Sequence, residues 1–273
     1  MRYGLKKVRR KFLTGASIIA RPLLHGWAYR NLRVSPIDQA EKTDIFVAGY
    51  PKSGNTWMQY LLAGVVYGVD TVFSHDSLVM DLVPDLQDRP FYRRYSSPMF
   101  FKTHFLPQAR YRRVVYLLRD GRDAAVSLWH YMRATTGNDQ YSLHTAITSR
   151  DKIFGVWHEH VDAWLDNPHK SEFLIIKYED LKLDAEKELA KIMDFAHLVR
   201  TKEQIAKAVA DADFFKMKAK EQTQGFDAPH WPKDKPFVRR GKVGGFRDEM
   251  DEASLILFNK ISGHALRRAG YQI

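Results

Sequence analysis

The stretch "VAGYPKSGNTWMQYLL", residues 47–62, sets glycines at 49 and 54 and a lysine at 52 ahead of an apolar helical run. A glycine loop between a strand and a helix offers backbone N–H groups and a positive dipole end, which is the chemistry of an anion site. Measured against the phosphate loop G-x-x-x-x-G-K-[ST], it departs at one letter. Asn55 stands where lysine belongs, Thr56 follows, and the lysine comes early, at Lys52. In a nucleoside triphosphatase the loop-end lysine reaches the terminal phosphates while an acidic residue completes a Mg²⁺ site. Here the next strand end, Arg119-Asp120, leads with a cation. The pattern points to an anion met by lysine and arginine with no metal required, and the amides of Ser53 to Trp57 are expected to face it.

Two further groups bear chemistry. In "FFKTHF" Lys102 and His104 alternate along a strand end, so both can point into one site. A histidine there suits a general base, because its ordinary pKa near about 6.5 lets it take a hydroxyl proton at neutral pH. In "LLRDGRDAAVSLWHY" Arg119 ends a strand and Ser127 lies two turns into the next helix, a guanidinium fork and a hydroxyl donor suited to a phosphate. The other ten histidines read as structural. "WHEH" lacks the spacing of a two-histidine metal helix, and Glu159 with its neighbours reads as a solvated helix face.

The elements that must position these groups alternate along the chain. "DIFVAGY" is an apolar run ending at the loop, and "TWMQYLLAGVVYG" is a helix closed by Gly68. "MFFKTH" and "RRVVYLLRD" read as buried strands, and "GRDAAVSLWHYMRA" as the helix after the second. "EFLIIKYEDL" reads as a fourth strand, followed by a helix "DAEKELAKIMDFA" capped by Asp184. Strands separated by helices predict an α/β fold of three layers: a central, mostly parallel sheet, helices on both faces and a modified phosphate loop, with ligands at the carboxyl ends of the strands. Residues 71–98, 134–150 and 219–237 break the alternation and are expected to form loops over the site.

Composition limits the classes further. The chain has 273 residues and no cysteine, which excludes disulfides, thiolate metal sites and a cysteine nucleophile, and fits a reducing, cytoplasmic setting. Of the formal net charge of +11, residues 1–37 supply nine basic side chains and no acid, leaving only +2 for the rest. The chain therefore divides into a basic arm, 1–37, and a near-neutral domain, 38–273, whose charge does not suggest a nucleic-acid partner. Within the arm Leu5, Val8, Phe12 and Ile19 form a helical stripe beside the cations. Such a helix either packs on the domain or lies on an anionic membrane surface. The apolar segment from Phe12 to Leu24 is broken by Arg21-Pro22 and is too short to span a bilayer, which takes roughly 20 apolar residues.

Taken in order, "YPKSGNTW", "FKTH", "RRVVYLLRDGRDAAVSLWHY", "IIKYEDL" and "FVRRGKVGGFRDEM" resemble the cytosolic-type sulfotransferase family over roughly residues 43–270. The resemblance implies 3′-phosphoadenosine 5′-phosphosulfate (PAPS) as donor, without a metal, and an alcohol, phenol or amine as acceptor. It implies that Lys52, Ser53, Gly54, Asn55, Thr56 and Trp57 hold the 5′-phosphosulfate. Arg119, Ser127 and the triplet Arg239, Arg240 and Gly241 would hold the 3′-phosphate. Trp57, Tyr178 and Phe214 would contact adenine, Phe214 on the looser match "DFFKMK". His104 would act as base, Lys52 and Lys102 would meet developing charge, and Ser127 would steer Lys52. Asn55 departs from the family's threonine, and Gly245-Phe246 from its usual Asp-Trp. The short C-terminal dimer motif of the family has no match, so the oligomeric state stays open.

Two rivals predict different behaviour. A nucleotide kinase on the same loop would prefer ATP and need Mg²⁺. A non-catalytic basic module binding membrane or RNA would be indifferent to Lys52→Ala and would lose binding with residues 1–37. The acceptor is not legible: "FYRRYSSPMF" and "DAPHWPKD" suggest aromatic and basic walls, suited to a small-molecule or a lipid-linked hydroxyl.

Overall fold

The computed structural model describes residues 33–150, 154–226, 231–232 and 234–273, so most of the basic arm, with its predicted helix, lies outside the described residues. After a short strand β1 (Ser35–Pro36), five buried residues form β2 (Ile45–Gly49), and helix α1 (Asn55–Tyr67) follows the glycine loop. Helix α2 (Asp76–Leu82), β3 (Phe91–Tyr92) and β4 (Phe100–Thr103) come next. β5 (Arg113–Leu118) runs straight into α3 (Gly121–Thr136), whose cap Asp120 accepts from the Arg122 amide. Helices α4 (Leu143–Thr148) and α5 (Trp157–Asp166) precede β6 (Glu172–Lys177). The chain closes through α6 (Tyr178–Leu183), α7 (Ala185–Phe195), α8 (Lys202–Asp211), α9 (Phe214–Gln224), a 3-10 turn at Gly245–Asp248 and α10 (Glu252–Arg268).

The main sheet has the order β4-β2-β5-β6 and every pair is parallel. Its strands are apolar on both sides because helices cover both sides. Ile45 and Val47 of β2 face the layer of α1, α7 and α8, while Phe46 and Ala48 face α3, α5 and α10, so alternate residues feed two separate cores. A residue such as Phe46 or Val115, at most 1% exposed, contributes roughly 1.5–3 kcal/mol through burial. β2 is followed in the chain by β4 on one side and by β5 on the other. The crevice between the carboxyl ends of β2 and β5 is therefore the switch point of the sheet, where this architecture opens.

Three expectations need correction. "EFLIIKYEDL" does not stay extended: the strand stops at Lys177 and Tyr178 begins α6. Glu179 and Asp180 sit in the first turn of that helix and Lys182 in its last, the arrangement that complements a helix dipole. The stretches 71–98 and 134–150 are not plain loops, since they contain α2 and α4, capped by His75 and by Ser142. "WHEH" is not a solvated face throughout. Glu159 does face solvent, but Trp157 and His160 are buried, and His160 stacks on Tyr116 in the core. Helix α5 must bury one side against the sheet, and the period of that stripe falls on these two rings.

Candidate active site

A cavity of about 380 Å³ opens at the carboxyl ends of β2, β4 and β5. The loop after β2 forms its floor. Lys52 takes a positive φ of 74° and Gly54 one of 96°. A side chain at Gly54 would be strained by that backbone and would also meet the Tyr178 ring at 2.9 Å, so glycine lets the ring lie against the loop. Arg119 braces the turn from the neighbouring strand end, donating from Nη1 to the Lys52 carbonyl at 2.8 Å while its guanidinium lies over the Tyr178 ring.

Most of the residues expected from the sequence meet in this one cavity. Lys52, Gly54, Asn55, Thr56 and Trp57 reach it from the loop and α1, Lys102 and His104 from the end of β4, and Arg119 and Ser127 from β5 and α3. Tyr178, Phe214, Arg239, Arg240 and Gly241 close the far wall. Trp57 and Tyr178 stand edge to face at 6.0 Å, and the ammonium of Lys182 lies 5.5 Å from both the Trp57 and the Phe214 rings. Phe214 also packs under Gly241, where an added Cβ would come within 2.6 Å of the ring at a φ of 58°.

Ser53 departs from expectation. It lies beneath the loop, 2% exposed, and its amide donates to the Tyr50 carbonyl at 3.1 Å to close the turn. The amides left for an anion are those of the first turn of α1, which have no earlier carbonyl within the helix. Asn55 turns its side chain inward as well, donating from Nδ2 to the same Tyr50 carbonyl. The residue that replaces the usual threonine thus braces the loop from inside.

The electrostatics follow from crowding cations at the switch point. Burial first, then the nearby Arg119, Lys102 and Arg239, push the Lys52 ammonium down to about 7. It has the rings of Tyr131 and Phe237 against it, at 4.6 and 4.7 Å. Desolvation first and then Lys102 draw the pKa of half-buried His104 down to about 4, against the upward pull of Asp85 and of the Gly49 carbonyl. His104 Nδ1 lies 2.7 Å from the Gly49 oxygen. A carbonyl only accepts, so the ring proton sits on Nδ1 and Nε2 keeps its lone pair.

Several members of the site escaped sequence reasoning. Glu249 gathers Arg239, Arg240 and His130 at 2.5–2.9 Å, and although burial works upward, those bonds hold its carboxyl at about 2. Buried Asp123 accepts the amides of Gly244 and Phe246 at 2.8 Å and so docks the basic segment on α3. Glu221, at the end of α9, accepts the amides of Phe237 and Val238. Asp123 and Glu249 stand inside two of the quoted stretches and Glu221 outside them, but neither type nor spacing singles these acids out. The one available signal was a count of acids close in sequence to the "RRGK" cations. Tyr131 and Phe237 end and begin two of the quoted stretches, and nothing in the sequence placed their rings against Lys52.

The comparisons with known proteins agree with this geometry. The family model described as "Sulfotransferase domain" matches residues 42–270. "Cytosolic sulfotransferase 1" of Danio rerio is 28% identical, covering 85% of this chain and 85% of its own. "Sulfotransferase 1E1" of Homo sapiens is 25% identical, covering 81% and 83%. Among solved structures, retinol dehydratase in complex with androsterone and the inactive cofactor PAP superposes with a TM-score of 0.64 at 23% identity, over 85% of this chain and 83% of that one. With a family model spanning nearly the whole described domain and the glycine loop, the arginine-serine pair and the basic triplet converging on one cavity, this chain belongs to the sulfotransferase family.

Proposed function

We propose that this protein transfers a sulfuryl group from PAPS to a hydroxyl of a small-molecule or lipid-linked acceptor, with His104 as the general base. The observation that carries the reading is the tautomer of His104: Nδ1 is committed to the Gly49 carbonyl, and Nε2 is free to take a proton in a cavity that also holds Lys52 and Lys102. A base drawn down to about 4 is neutral at physiological pH and so ready to accept.

The residues present fit a bisphosphate donor. Arg119 Nε is a buried donor without a partner at the switch point, the Arg239–Gly241 segment brings two guanidinium groups, and Gly54 and Gly241 clear the space under two aromatic rings. Trp57, Tyr178 and Phe214 would hold the adenine. Arg119, Ser127, Arg239, Arg240 and the Gly241 backbone would hold the 3′-phosphate. Lys52 and the amides of Asn55, Thr56 and Trp57 would hold the 5′ side. Transfer forms a bond between the acceptor oxygen and sulfur as the bond from sulfur to the bridging oxygen breaks. His104 Nε2 takes the hydroxyl proton, and Lys52 and Lys102 stand where charge grows on the bridging and sulfuryl oxygens. Ser127 lines the same wall as Lys52 and is assigned to its steering. The name of the fish relative supports work in the cytosol, and among the described residues no helix is long and apolar enough to cross a membrane. Contact of residues 1–37 with an anionic membrane surface belongs to the same proposal and rests on their nine cations.

The test is a thermal-shift titration with adenosine 3′,5′-bisphosphate (PAP) against ATP, each with and without Mg²⁺. A metal-independent shift by PAP, lost in Arg119→Ala, supports the donor site, whereas a shift by ATP with Mg²⁺ alone overturns it in favour of a kinase. His104→Ala should keep that PAP shift and lose roughly 10²-fold or more in turnover, the contribution of one general base. Loss of PAP binding with chemistry intact would refute the role of His104.

A further inference from the structure

Among the described residues the outer edge of β4 has no neighbouring strand in the main sheet, yet residues 84–87 are laced along it. Lys102 N donates to the Pro84 carbonyl at 2.9 Å and Leu86 N donates to the Lys102 carbonyl at 3.0 Å. This short ladder carries two side chains to the reacting end of the strand. Asp85 Oδ2 meets Lys102 Nζ at 2.8 Å, and both side chains are largely shielded, at 8% and 13% exposed. Asp85 Oδ1 accepts the Gln87 amide at 2.9 Å, and Gln87 Oε1 in turn accepts the His104 amide at 3.2 Å.

A buried carboxylate beside one of the site's few lysines is not needed for folding of the edge, because the backbone ladder already satisfies it. Nor is Asp85 placed to hold the anion, since it bears the same sign. Its two oxygens instead hold the Lys102 ammonium and the Gln87 amide, and Gln87 in turn holds the backbone of His104. We propose that Asp85 and Gln87 are positioning residues: Asp85 aims the Lys102 ammonium and Gln87 fixes the backbone at His104, so that cation and base keep one geometry before donor and acceptor arrive. This rests on the sulfotransferase reading for the roles of Lys102 and His104. Lys102 on β4, Asp85 on the lace and Lys52 on the loop act on His104, and His104 in turn acts on His160 of α5; Asp88 and Arg119 line the same cavity. Of these, Asp85 is the anion that opposes the cations around His104.

The experiment compares the wild type with Asp85→Asn, Asp85→Glu and Gln87→Leu in the full chain. Lysine acetylation by acetic anhydride is followed by mass spectrometry, and the His104 ring is titrated by NMR with labelled histidine. In Asp85→Asn, Lys102 should be acetylated several-fold faster while Lys220, buried in a separate ion pair, keeps its rate, and the His104 midpoint should move down because an opposing anion is lost. Asp85→Glu should restore slow labelling. A folded Asp85→Asn whose Lys102 labelling and His104 titration both match the wild type overturns the proposal. Should that variant not fold, Gln87→Leu decides through the His104 titration alone, which the proposal requires to change. PAP binding is measured in parallel. If PAP never stabilises the wild type, the sulfotransferase reading fails, whereas labelling and titration still judge the lace independently.

Discussion

Lys52 provides the sharpest quantitative prediction. Four other cations of the cavity have acceptors at hand: Lys102 has Asp85, Arg239 and Arg240 have Glu249, and Arg119 has the Lys52 carbonyl. Lys52 rests on two aromatic rings among like charges, with its pKa pushed down to about 7. A bound anion favours the ammonium form, so binding draws a proton onto Lys52 wherever the free amine is neutral. For a group with a folded value near 7, affinity scales as 1/(1 + 10^(pH − 7)), a loss of about 50-fold, or roughly 2.3 kcal/mol, between pH 7 and pH 9. The sign is that of a cation with a lowered pKa: binding is strongest below pH 7 and weakens as pH rises. Phosphate titrates near about 6 and the arginines above about 12, so neither contributes a slope in this window. Isothermal titration of PAP in buffers of different ionisation enthalpy measures both quantities, with proton uptake rising toward about one per site at pH 9. Lys52→Met should bind more weakly at pH 7 and show a flat profile. A wild-type affinity constant from pH 7 to pH 9, or a Lys52→Met variant with the wild-type slope, would refute the reasoning.

Three further outcomes are expected. The acid limb of turnover should fall near pH 4, where His104 titrates in the fold, well below an ordinary imidazole, and a limb near about 6.5 would mean that the base is solvated. Gly241→Ala must strain a backbone at φ 58° and push a methyl into the Phe214 ring, so PAP affinity should fall by roughly 5-fold or more, from a strain of about 1 kcal/mol or above, with the melting temperature little changed. Lys220→Met removes the ammonium that meets buried Asp76 at 2.8 Å and the Ser74 carbonyl at 2.6 Å. Urea unfolding should show a loss of roughly 3 kcal/mol, the cost of breaking one buried ion pair.

The sequence by itself determined the strand–loop–helix order and the grouping of Lys52, Lys102, His104, Arg119 and Ser127, because each follows from local pattern. Four apolar runs of strand length separated by helical patterns admit few architectures other than a covered parallel sheet, and such a sheet places ligands at its carboxyl ends. The end of the fourth strand differs because "YEDL" continues an extended-looking run, whereas in the fold the chain turns at Tyr178 and Glu179 accepts the distant Asp120 amide. His160 was misplaced for a similar reason, since helical spacing does not say which side of α5 meets Tyr116.

Only the tertiary structure decided how the charges are held. Asp85 stands 17 residues from Lys102 but 2.8 Å away in space, and Asp123 docks the segment around Gly244 across 121 residues. It also decided that Ser53 and Asn55 face inward, that Nδ1 of His104 carries the proton, and that Lys52 lies on aromatic rings among cations. Motifs record which residues recur at short spacing. Desolvation, tautomer and ion-pair partner depend on what the fold brings within a few ångströms from distant parts of the chain, and the sum of those near interactions sets the chemistry.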